Sequence, residues 1–97
     1  MTNLEMMKDA LKRSQDHLAS NPTFLPFDVV IRQLKYLIDL EEGKTSETDG
    51  LEHIGLGRIA ARELDGFEDN ELREHLYKIA SYVREFKKSP TNKTKVE

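Results

Sequence analysis

Apolar residues recur at three- and four-residue spacing along most of the chain, and no segment alternates apolar and polar residues with a period of two. A 3.6-residue period builds helices and a two-residue period builds half-buried strands, so the pattern excludes a sheet-based core and predicts an all-α fold. No internal repeat is present, and 97 residues suffice for one domain. The expected architecture is a compact bundle of about four helices over residues 1–88 with short connections, followed by a disordered polar tail over 89–97.

The first helix runs from about Thr2 to Ser20. Thr2 and Glu5 have capping-box spacing, in which the hydroxyl and the carboxylate each satisfy an otherwise orphaned amide. Leu4, Met7, Leu11 and Leu18 form its stripe, with Ser14 where an apolar side chain is expected, so this helix reads as the least firmly docked of the four. Asn21-Pro22 stops it. Pro26 suits the first turn of the second helix, where Phe27, Val30, Ile31, Leu34, Leu37 and Ile38 make the strongest stripe. Val29, Tyr36 and Leu40 widen that stripe, and Gly43 can take the left-handed C-cap conformation.

The third helix is expected from Asp49, capped with Glu52, through Leu64. Gly55 and Gly57 lie inside it, each costing about 1 kcal/mol relative to Ala. Gly57, Ala60, Ala61 and Leu64 share a flank that a neighbouring helix could approach closely, and Arg58 and Arg62 form a basic row elsewhere. Gly55-Leu56-Gly57 lacks the third glycine and the preceding strand of a phosphate loop. The fourth helix is expected near Glu68-Asp69, with Leu72, Leu76, Ile79, Val83 and Phe86 as its seam. Its leading acids and trailing bases match the helix dipole.

Few chemistries are available. The chain has no cysteine, which removes disulfides, thiolate metal sites and cysteine nucleophiles. No run approaches the ~18 apolar residues of a membrane span, and the N-terminus does not read as a signal peptide, so a cytoplasmic location is expected. His17, His53 and His75 are the three histidines. Glu71 and His75 share a helix face but read as a solvent-exposed pair, and His53 as a partly buried, hydrogen-bonded side chain. Glu-x-x-His, the unit of carboxylate-bridged bundle metal sites, does not occur. No serine stands in a nucleophile elbow, adjacent carboxylates diverge by about 100° on a helix, and no cofactor motif is present. An enzyme is not expected, nor any metal or cofactor. A helix-turn-helix reader is disfavoured because the candidate turn, Asp65 to Asp69, is acidic, so direct nucleic-acid binding is not expected.

The charge distribution is the most informative feature. Residues 1–38 carry a net +1, residues 39–74 a net −8, and residues 75–97 a net +4. Many of the central acids have capping and dipole reasons to be acidic. The competing reading is a docking surface for a basic partner, in which complementary potential speeds encounter and excludes wrong partners. Its candidate contact residues are Glu41, Glu42, Glu47, Asp49 and Glu52, with Asp65, Glu68 and Asp69 from the next connection, each accepting from Lys or Arg. Tyr36 is a candidate aromatic anchor, with core packing the competing role.

Three stretches carry a resemblance. They are Gln33-Leu34-Lys35-Tyr36-Leu37-Ile38-Asp39-Leu40-Glu41-Glu42-Gly43, then Leu51-x-x-Ile54-x-Leu56-Gly57, then Ala60-Ala61-Arg62-Glu63-Leu64 ahead of the acidic turn. From Phe27 through Phe86 the chain resembles the small all-α immunity proteins of bacterial polymorphic-toxin and contact-dependent growth-inhibition systems. The resemblance implies a cytoplasmic, antitoxin-like protein that binds one cognate toxin domain and occludes its active site. Taken with the charge layout, it predicts a basic toxin, with a nuclease as the expected chemistry. The alternative is a helical structural or regulatory module that homodimerises through the exposed side of its last helix.

Overall fold

The computed structural model describes residues 2–46, 48–64 and 69–94, with side chains described throughout except at 52, 53 and 86–94. Four α-helices follow in order: α1 (Asn3–Ser20), α2 (Leu25–Glu41), α3 (Leu56–Arg62) and α4 (Asn70–Thr94), with a 3₁₀ turn (Asp49–His53) before α3. There is no strand among the described residues. The all-α expectation holds. The tail expected over 89–97 falls on residues whose side chains, and from 95 onward the backbone, lie outside the described set.

The capping box that starts α1 forms as its spacing predicts. The Glu5 amide donates to Thr2 Oγ1 at 3.0 Å, and the Thr2 amide donates to Glu5 Oε1 at 2.9 Å. Asn21 and Pro22 end the helix, and a short turn leads into α2, whose Pro26 lies in the first turn. Gly43 takes φ +79, the left-handed turn predicted for it. At the start of α4 the Leu72 amide donates to Asp69 Oδ1 at 3.0 Å, so Asp69 caps the helix.

The core runs through every element. Phe27, Val30, Leu34 and Leu37 of α2 and Leu72, Leu76, Ile79 and Val83 of α4 share one buried cluster with Met7 and Ala10 of α1, which packs against both helices. Leu51, Leu56, Ala60 and Leu64 belong to the same cluster, where α3 packs mainly on α4. The expectation that α1 is the least firmly docked is corrected. Met7 and Ala10 are fully buried, and α1 packs against both α2 and α4. Its buried residues are Met6, Met7, Ala10 and Ser14; the small Ala10 and Ser14 permit close approach and Met7 fills the core, while Leu4, Leu11 and Leu18 only flank them.

The continuous third helix is also corrected. Thr48 precedes the 3₁₀ turn without a side-chain cap, so Asp49 starts that turn instead of capping a helix, and α3 begins only after Gly55. Two contacts with α2 explain the break. A Cβ on Gly50 would lie 2.9 Å from the Tyr36 ring, which places this backbone directly on the aromatic face. The Gly55 amide donates to Gln33 Oε1 at 3.0 Å, diverting a group that a continuous helix would use internally. The small flank holds in part: a Cβ on Gly57 would stand 3.3 Å from that of Ala80, so α4 is the close neighbour there, and Ala60 is buried, whereas Ala61 is exposed and Leu64 lies beyond the end of α3.

Candidate functional site

α1 runs antiparallel to α2 and α4, because Lys8 reaches Glu42 near one end and His17 reaches Phe27 and Asp69 near the other. The predicted contact acids are therefore divided between two ends of the bundle.

At the first end, Gly43 reverses the chain and leaves Glu41 and Glu42 on the rim. The Glu41 carboxylate accepts a hydrogen bond from the Tyr82 hydroxyl at 2.8 Å, joining α2 to α4. Burial, followed by the hydrogen bond to Glu41 and then the Glu41 charge, raises the Tyr82 phenol above its ordinary value, while a hydrogen bond with Asn3 pulls the other way. Glu42 stands 2.8 Å from Lys8 Nζ and 3.2 Å from Lys44 Nζ, and the Lys8 contact is the main reason that its carboxyl lies below the usual range. Asp49 is exposed at the start of the 3₁₀ turn. Beneath the Glu41–Tyr82 pair lies a cavity of about 170 Å³, walled by Met7, Leu37, Leu40, Leu51 and Val83. This end therefore presents carboxylates around an apolar hollow.

Asp69 lies at the other end and faces inward, its side chain only 13% exposed. Besides capping α4 it accepts from Arg13 Nη1 at 3.1 Å and contacts His17 Nε2 at 2.9 Å. Burial raises its pKa, but the bonds from His17 and the Leu72 amide, with the Arg13 charge, win and hold it below the usual range. The His17 ring lies flat on Phe27, with centroids 5.0 Å apart and planes within 6°. Glu47, Asp65 and Glu68, and the side chains of Glu52 and His53, lie outside the described residues.

Arg13 also holds Asp9 at 2.8 Å and Glu71 at 2.9 Å, and His75 Nε2 stands 2.9 Å from Asp9 Oδ2. The expectation of a solvent-exposed Glu71–His75 pair is thus corrected, since His75 is buried at 8% exposure. Its burial follows from its place beside Leu72 and Leu76 on the inner side of α4, which faces α1. Asp9, Glu71 and His75 bring three donor atoms within 4.8 Å of one another, the spacing of a metal site. Arg13 is bonded to two of these three, however, so its cation already balances the carboxylates. The cluster reads as a brace between α1 and α4.

Sequence reasoning missed Tyr82, Lys8 and the Arg13 brace. Only Tyr82 left a trace, since it is adjacent to Val83 on the fourth helical seam. The rest depend on pairings between distant parts of the chain.

Among the described residues no helix is long and apolar enough to cross a membrane. A family model described as Tsi6 matches residues 2–85. No curated protein and no solved structure matches the chain.

Proposed function

The chain belongs to the Tsi6 family, a toxin-immunity family of type VI secretion, and from that premise we propose that it binds one cognate toxin domain in the cytoplasm and blocks its active site with an acidic surface. The carrying observation is the net −8 of residues 39–74, of whose acids Glu41 and Asp49 are exposed around the α2 C-terminus and the 3₁₀ turn, with Glu42 between them paired to Lys8 and Lys44. A toxin that handles phosphate, a nuclease being the case we favour, needs a positive cleft. Carboxylates placed there occupy the position of the substrate phosphates. Their long-range field speeds the encounter, which suits an inhibitor that must reach the toxin before its substrate does.

Charge reversal of Glu47, Asp49 and Glu52 to lysine tests the acidic surface against the cognate toxin domain. Binding should weaken by about tenfold or more, mainly through slower association, and the loss should shrink as salt rises. Unchanged binding would place the contact elsewhere.

A further inference from the structure

The Arg58–Arg62 row is left unexplained by a uniformly acidic docking face. Where α3 and α4 press together at Gly57 and Ala80, a groove of about 200 Å³ opens above the contact. Ile54, Gly57 and Ala80 are among the residues that line it, together with Arg58 from α3 and Arg84 from α4. Both arginines are exposed, and neither has an ion-pair partner among the described residues. Two guanidinium groups beside one hollow repel each other, and a carboxylate placed between them relieves that repulsion while accepting several charged hydrogen bonds.

Leu51 and Val83 line this groove and also the cavity beneath Glu41 and Tyr82. The two hollows are therefore neighbours with a shared apolar wall. One has a carboxylate at its rim and the other has two guanidinium groups.

We propose that this dipolar face, Glu41 on one side of Leu51–Val83 and Arg58 with Arg84 on the other, is the docking site for a toxin segment carrying a cation and an acid side by side. A Lys or Arg of that segment lays its aliphatic stem in the apolar cavity and presents its charge to Glu41, which Tyr82 holds at the rim. An adjacent Asp or Glu enters the groove between the arginines. Opposite charges on either side of one wall set register, because the reversed alignment places like charges in contact. The proposal rests on the immunity reading and adds to it the chemistry of the partner's contact segment.

The test is calorimetric titration of the cognate toxin domain with wild type and with Arg58→Glu, Arg84→Glu and Arg62→Glu. All three substitutions make the same charge change at exposed arginines, but Arg62 does not line the groove. The two groove variants should bind about tenfold more weakly or worse, and Arg62→Glu within about threefold of wild type. Arg58→Gln and Arg84→Gln, gentler on the fold, should show smaller losses in the same direction. Equal effects at all three sites, or none at the groove, would overturn the dipolar face while leaving immunity intact. A wild-type chain that neither binds nor neutralises the toxin would overturn both. Saturable binding of inorganic phosphate, abolished by the groove variants, would replace the carboxylate with a phosphate as occupant.

Discussion

Arg13 Nη1 stands 3.1 Å from Asp69 Oδ1 across a sequence separation of 56, so a side chain of α1 grips the residue that caps α4. Asparagine caps a helix about as well as aspartate but carries no charge. Asp69→Asn should therefore keep the cap and lose the ionic brace, destabilising the domain by about 1–2 kcal/mol at neutral pH, and Asp69→Ala should cost about 1 kcal/mol more. Urea unfolding of the two variants separates the cap from the brace. Equal losses would show that only the ionic brace contributes, and an undiminished stability in Asp69→Asn that only the cap does.

The same carboxylate sets an acid limit. Asp69 and Asp9 are both held below their ordinary value of 3.8 in the folded state. A depressed folded pKa contributes stability that is fully present above the unfolded value and is lost as pH falls through the folded one. Stability should therefore be flat above about pH 5 with respect to these two groups and decline below about pH 4. Asp69→Asn should have a shallower acid limb, and identical limbs would remove Asp69 from the account.

Ser14 is buried in the centre of α1, and its hydroxyl has no hydrogen-bond partner among the described residues. Unpaired burial of a hydroxyl costs about 1–3 kcal/mol, and alanine is the better helix former. Ser14→Ala should stabilise the domain by about 1 kcal/mol, raising the melting temperature by about 4–8 °C. A lower melting temperature would mean that the hydroxyl is satisfied in solution.

Gly50 and Gly55 should respond differently to alanine. A Cβ at Gly50 meets the Tyr36 ring at 2.9 Å, whereas nothing lies within 4 Å of one at Gly55. Gly50→Ala should cost about 1–2 kcal/mol as the ring is displaced, while Gly55→Ala should stay within about 0.5 kcal/mol. Thermal melts of the two single variants make the comparison.

Tyr82 should ionise above the ordinary phenol value in an alkaline titration followed by ultraviolet absorption, because burial and the Glu41 carboxylate both oppose a phenolate. Glu41→Gln should bring its titration back toward the ordinary phenol value. No change in that variant would break the Glu41–Tyr82 link.

Local chemistry explains what could be read in advance. The Thr2–Glu5 box, the left-handed Gly43, the stripe of α2 and the seam of α4 each depend on residues within one or two helical turns, where spacing determines contact. The division of the third helix depends on Tyr36 and Gln33, far away in sequence, which claim the backbone at Gly50 and Gly55. Ser14 was legible as a gap in a stripe, but not as the buried centre of α1, because the partner helices determine that. The acidic block was visible as a charge count. Which acids remain exposed was not, since Asp69 is drawn inward by Arg13 and His17 from another helix.

The clasp between α1 and α4 also governs when this molecule comes into being. Its pairs, Asp69 with His17 and Arg13 and His75 with Asp9, join residues 52, 56 and 66 positions apart. Helices form in about a microsecond, but a closure over that much chain waits for its second half to arrive. On the ribosome, α1 and α2 emerge as a hairpin with one apolar flank bare and Asp9, Arg13 and His17 without their α4 partners. The domain then closes late, as a unit, when α4 is free to dock. A partly synthesised copy has not yet assembled the Leu51–Val83 wall, because Val83 comes from the helix that arrives last.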